Sequence, residues 1–87
     1  MIETIRRALD ACGGLKVAAA SLAPDADLYR AGLTPFAAVQ VVLALERSLK
    51  IEFPQHLLNR RSLASMNDVR ACIREAQSGD WRLDRAA

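Results

Sequence analysis

His56 is the sole histidine of this 87-residue chain, Cys12 and Cys72 are its two cysteines, and Gly13-Gly14 is its one glycine pair. Each residue type carries chemistry only in company. A nucleophile needs a base within hydrogen-bond reach. His56 follows Pro54-Gln55 on what reads as a short exposed turn, and no serine or cysteine near it makes a nucleophile pair. It reads as a solvated surface histidine. The two cysteines lack metal-ligand spacing, and the glycine pair lacks the context of a phosphate loop. Asp25 and Asp27 read as turn formers, because nothing near them completes a metal site. The remaining carboxylates are scattered singles. These residues predict no catalytic site and no metal, so the chain reads as something other than an enzyme.

The strongest local mark is the start of the apolar stretch from Gly32 to Glu46. Thr34 has the right type to cap a helix, a contribution of about 1 kcal/mol relative to alanine. Pro35 then takes the first helical position, where its missing N–H costs nothing and its fixed φ already suits the helix. From about Pro35 to Leu49 the spacing predicts one helix. Phe36, Val39 and Leu43 recur on one face, and Val42, Leu45 and Leu49 widen it. A helix this apolar must be largely buried or must offer its spare face to a partner.

The other elements follow from the same periodicity. Ile2, Ile5, Leu9 and Cys12 predict a first amphipathic helix, ended by Gly13-Gly14. Leu15 to Ala23 reads as a helical turn or a packed loop, broken by Pro24-Asp25. A long loop follows, with Leu28 and Tyr29 expected to plug into the core. Ile51-Glu52-Phe53 reads as an extended link, and Pro54 opens a short helical turn that Asn59 closes. Ser65 and Asp68 have the spacing of a capping box for a last helix whose apolar face is Met66, Val69, Ile73 and Ala76, with Cys72 beside it. Ser78-Gly79-Asp80 is expected to stop that helix, and Trp81 to Ala87 reads as a tail. Trp81 and Leu83 are candidates to pack back on the body. The expected organisation is one helical domain over residues 1–78 and a tail over 79–87.

Composition bounds the function. Hydrophobic residues make up 52% of the chain and aromatics 5%, so one aliphatic core is affordable and disorder is excluded. The formal net charge is +2, with the basic residues scattered. Nucleic-acid binding wants a basic stripe on one face, and the only late pair is Arg60-Arg61. No run of 18 apolar residues is present, so no membrane span is expected. The N-terminus lacks the order of a signal peptide, and two distant cysteines read as free thiols of a reducing compartment. The expectation is a cytoplasmic protein with no nucleic-acid or membrane partner.

The order of these motifs resembles the acyl carrier protein family. The residues that carry the resemblance are Asp27-Leu28, Gly32-Leu33, the apolar helix ending Ala44-Leu45-Glu46, and Ile51-Glu52-Phe53-Pro54. A finer resemblance covers roughly the middle half of the chain. Leu28-Tyr29, Gly32-Leu33-Thr34, Ala38-Val39-Gln40, Glu52-Phe53-Pro54 and Leu57 to Ser65 look like a bacterial subgroup of specialised carriers that includes partners of amino acid:carrier protein ligases. The resemblance implies an all-α, four-helix bundle with three main helices, a short third helix and a long first loop. It implies 4′-phosphopantetheine on a serine at the helix start, loaded by a phosphopantetheinyl transferase, and partner enzymes that act on the thioester. That serine maps onto Pro35, which has no hydroxyl, so the resemblance implies a carrier blocked at its usual position. Thr34, one residue away, is the weak alternative acceptor. The partner surface implied on the helix is Phe36, Ala37, Gln40, Val41, Ala44 and Arg47. Its acidic complement is reduced to Glu46 beside Arg47, so it is expected to suit an apolar contact at Ala37, Val41 and Ala44 or else to pack those small residues under a loop. A cargo-free interaction or regulatory module is the alternative function, a small nucleic-acid binder ranks behind it, and a monomer is the expected state.

Overall fold

The computed structural model describes residues 1–78, and every regular element among them is helical. The expected tail, with Trp81 and Leu83, lies outside the described residues. α1 (Ile2–Ala8) buries Ile5 and Ala8, and it continues without a break into a π-helical turn, Leu9–Gly13. The stop is Gly14, at φ +63°, in the left-handed conformation that glycine adopts without the steric cost of a Cβ. The glycine pair is therefore a helix terminator.

The segment between α1 and α2 (Pro35–Leu49) holds one 3-10 turn, Ala19–Ser21, and is otherwise irregular. It is tied down along its length. The Asp10 carboxylate accepts from Ala19 N–H at 2.9 Å, and the Arg6 guanidinium donates to the Leu22 carbonyl at 3.2 Å. Lys16 N–H donates to the Ala31 carbonyl at 2.9 Å, and Leu28 N–H to that of Ala64 at 2.8 Å. Asp27 folds back as a turn former, accepting from Tyr29 N–H at 2.9 Å. Leu28 is fully buried, whereas Tyr29 is only half-buried. Gly32, at φ +114°, lets the strap pass so close to Lys16 that a Cβ would meet its backbone nitrogen at 3.3 Å.

α1 packs on both α2 and α3 (Met66–Ser78). The core is aliphatic, with Ile5, Leu9, Leu28, Leu45, Met66 and Ile73 at its centre. α3 presents Met66, Val69, Cys72, Ile73 and Ala76 inward, the expected face. Its start is a variant of the capping box. Ser65 Oγ accepts from Asp68 N–H at 3.1 Å and donates to the Asp68 carboxylate at 2.9 Å, so the acid bonds the hydroxyl.

The short helix expected between α2 and α3 is realised as two 3-10 turns, Gln55–Leu57 and Arg61–Leu63. Phe53 and Pro54 are buried on entry to this segment. Asn59 joins the turns: its amide donates to the His56 carbonyl at 3.1 Å, and its side-chain oxygen accepts from Ser62 N–H at 2.9 Å. With three residues in each turn and the Asn59 side chain bonding to backbone on both sides, the segment has no length of α-helix to propagate. No helix among the described residues is long and apolar enough to cross a membrane.

Candidate functional site: the start and outer face of α2

α2 begins as its sequence dictates. The Thr34 hydroxyl accepts from Ala37 N–H at 3.1 Å, and the Thr34 carbonyl accepts from Ala38 N–H at 2.8 Å. Pro35 occupies the first helical position, where no N–H is missed. Both residues are exposed. The exposed first turn therefore keeps one N–H outside these bonds, that of Phe36. Covalent attachment of a phosphodiester at Pro35 has no oxygen to use, and the Thr34 oxygen sits over the helix end as its cap. Pro35 itself does not fit a covalently held 4′-phosphopantetheine.

The helix divides its apolar residues in a way that differs from the expected face. Ala38, Val41, Val42 and Leu45, at spacing i, i+3, i+4, i+7, face the core. Phe36, Val39 and Leu43 lie on the opposite side, 74%, 54% and 42% exposed. One expectation is corrected by this rotation. Val41 is 4% exposed, so it is a core residue and forms no part of a partner surface. Ala37 and Ala44 are half-buried and packed against the core, at the seam between the inner and outer faces. Gln40 is half-buried and Arg47 exposed. Sequence reading missed Val39 and Leu43 as surface residues. No charged residue marks the outer side of α2 before Glu46, and the phase of so apolar a helix is fixed only by what it packs against.

Beside this outer face lies an apolar cleft of about 280 Å³. Its near wall is Pro35, Val39, Val42 and Leu43. The far wall is Leu58 and Leu63, from the segment of 3-10 turns. Leu58 is 46% exposed, which extends the apolar surface of α2 across the cleft. At one rim the Arg60 guanidinium lies 4.0 Å from the centroid of the Tyr29 ring, a cation–π contact. Burial pushes the Tyr29 phenol above its ordinary range, and Arg60 pulls it partly back.

Electrostatics at the face are depleted of acid. Glu46 is the only carboxylate of α2, and its Oε2 accepts from Phe53 N–H at 2.8 Å. It holds the following segment to the end of the helix. His56 lies away from this face and approaches Glu75 of α3, with Nε2 3.5 Å from the carboxylate. Cys12 is a half-buried free thiol and Cys72 a buried one. The Cys72 thiol donates to the Ser62 carbonyl at 3.6 Å, and burial pushes its pKa up. Among the described residues no three His, Cys, Asp or Glu side chains converge as a metal-ligand group.

Known proteins are similar to this chain in sequence and fold. The family profile described as the phosphopantetheine attachment site matches residues 3–69. The aminoacyl carrier protein of Agrobacterium fabrum (strain C58) is 43% identical over 74 residues, 85% of this chain and 89% of the relative. Among solved structures, one similar chain comes from an engineered Bradyrhizobium japonicum glycine:[carrier protein] ligase complexed with a carrier protein from Agrobacterium tumefaciens and AMP. It has a TM-score of 0.81 and 43% identity, covering 85% of this chain and 99% of that one. A solution structure from Agrobacterium tumefaciens aligns over 100% of both chains, with a TM-score of 0.76 and 40% identity. The helical architecture, the motif order and these likenesses agree, and the chain belongs to the phosphopantetheine attachment site family, the family of carrier proteins.

Proposed function

We propose that this chain is a carrier of the aminoacyl type that docks to an amino acid:carrier protein ligase but bears no phosphopantetheine arm. One observation carries the second half of that reading: the residue at the helix start is Pro35, and the neighbouring Thr34 hydroxyl caps the helix by accepting from Ala37 N–H. A transferase that forms a phosphodiester needs a free hydroxyl on an exposed turn. The first half is supported by the 43% identity to a chain from a carrier–ligase complex. It is also supported by the exposed apolar side chains that flank Pro35. The protein itself does no bond-making in this reading, and its work is done by presenting a surface. It acts in the cytoplasm and is a monomer when unbound.

Intact mass after incubation with coenzyme A and a broad-specificity phosphopantetheinyl transferase tests the reading. This chain is expected to keep its mass, and Pro35→Ser to gain one phosphopantetheine. A gain by the unaltered chain assigns the acceptor to Thr34 or another hydroxyl and overturns the blocked site. No gain by either form removes the claim that a transferase recognises this surface.

A further inference from the structure

We propose that this chain is a competitive inhibitor of carrier loading: docked on an amino acid:carrier protein ligase, it holds the place of a loadable carrier and accepts nothing. The inference rests on the docking reading above and adds to it a regulatory consequence. A ligase that transfers an amino acid to a carrier must hold the carrier where its arm reaches the active site. One such seat admits one carrier at a time. Pro35 is at the first position of α2, and Phe36 and Val39 follow within about one helical turn. Any surface that seats Phe36 and Val39 therefore seats Pro35 where the arm of a loadable carrier would start. With no hydroxyl at Pro35, no arm and thus no thiol is offered there, no bond forms, and release is the only exit.

The structure also identifies what holds the complex. Phe36, Val39, Leu43 and Leu58 are large apolar side chains that the fold leaves 42–74% exposed. Val39, Leu43 and Leu58 line one cleft with Pro35, and Phe36 shares the outer face of α2 with Val39 and Leu43. The core does not require them, since Ala38, Val41, Val42 and Leu45 already face it. A contiguous apolar surface left in water is the mark of an interaction site. The one carboxylate of α2 is engaged with Phe53 N–H, so the face offers an apolar contact and little acidic complement. Docking of this kind depends weakly on ionic strength, because screening acts on charge pairs. The Thr34 cap and Pro35 fix the helix start without a cofactor, so the surface is preorganised in the arm-free protein.

The glycine:[carrier protein] ligase and the Agrobacterium carrier, in its phosphopantetheinylated form, provide the assay, with glycine transfer read by intact mass. Addition of the full 87-residue chain is expected to raise KM for the carrier in proportion to its concentration and to leave kcat unchanged. At ten times its dissociation constant, with the carrier well below KM, the rate falls about tenfold by mass action. The inhibition is expected to hold within about twofold between roughly 50 and 300 mM salt. Phe36→Asp is expected to weaken it more than tenfold while leaving the helical circular dichroism unchanged, since Phe36 is 74% exposed. Binding of this chain to the ligase, measured by surface plasmon resonance, with no rise in KM overturns the inhibitor and leaves the docking reading standing. Absence of binding by both this chain and Pro35→Ser overturns the two together. Phe36→Asp that inhibits as well as its parent removes the α2 face from the account.

Discussion

Thr34 and Pro35 divide the start of α2 between them, one supplying a hydrogen bond and the other a fixed φ. Thr34→Ala leaves Ala37 N–H without its side-chain partner and is expected to lower stability by about 1 kcal/mol in urea denaturation. Thr34→Ser is expected to restore most of it. Neither change makes position 35 loadable, which separates the structural role of the cap from the chemical role of the attachment point. Tyr29 permits a second test at this scale. Burial raises its pKa above the ordinary 10.0, and the Arg60 charge opposes that rise. Arg60→Met is therefore expected to raise it further, read from tyrosinate absorbance, since Tyr29 is the sole tyrosine. The linkage sign follows from the direction. A group whose folded pKa is raised stabilises the fold below its ordinary pKa, and that contribution is lost as pH rises through the folded value. Cys72, raised by burial from 9.0, begins the loss and Tyr29 continues it. Thermal melts are expected to fall above about pH 9, and Cys72→Ala to delay the onset.

At the scale of elements, Glu46 and Lys50 finish α2. Glu46 links the helix to the segment that forms the far wall of the cleft. Glu46→Ala strands the part-buried Phe53 N–H and is expected to cost about 1–3 kcal/mol. Glu46→Gln retains an acceptor and is expected to cost less. Lys50 closes the helix at φ 53°, a conformation that a side chain makes unfavourable. Lys50→Gly removes that cost, roughly 1–2 kcal/mol, against a smaller loss from glycine's greater chain entropy, and is expected to raise the urea denaturation midpoint. These elements were legible in the sequence to different depths. The Thr-Pro start, the glycine stop and the Ser65–Asp68 cap are local signals, and the structure repeats them. The apolar phase of α3 was also legible, because charged residues mark its outer side. α2 lacks such marks over its first eleven positions, Pro35 to Leu45, and so its inner face was readable only from its neighbours. Of the two 3-10 turns, Gln55–Leu57 was legible as the short turn that Pro54 opens and Asn59 closes, whereas Arg61–Leu63 escaped. Its entry is set by the Asn59 side-chain oxygen accepting from Ser62 N–H, a detail that periodicity does not encode.

Across the whole molecule, stability and recognition are carried by opposite sides of one helix, and this makes them separable. Leu45 is fully buried among the aliphatic core residues. Leu45→Ala opens a cavity and is expected to cost about 2–5 kcal/mol. A small domain with a total stability of about 5–15 kcal/mol has little reserve against that loss. Phe36 stands 74% exposed two turns and more up the same helix. Phe36→Ala is expected to change stability by less than about 0.5 kcal/mol, as surface substitutions do. On the ligase the order reverses: Phe36→Ala weakens docking, whereas Leu45→Ala, under conditions where it remains folded, docks as its parent does. Parallel urea titrations and binding isotherms on the two variants measure both axes. If Phe36→Ala destabilises the fold as much as Leu45→Ala, the outer face is part of the core and has no surface to lend. If Phe36→Ala is neutral on both axes, the docking face lies elsewhere on the molecule. The predicted crossing, one variant losing stability and the other losing affinity, is the result that ties the exposed stripe to a partner.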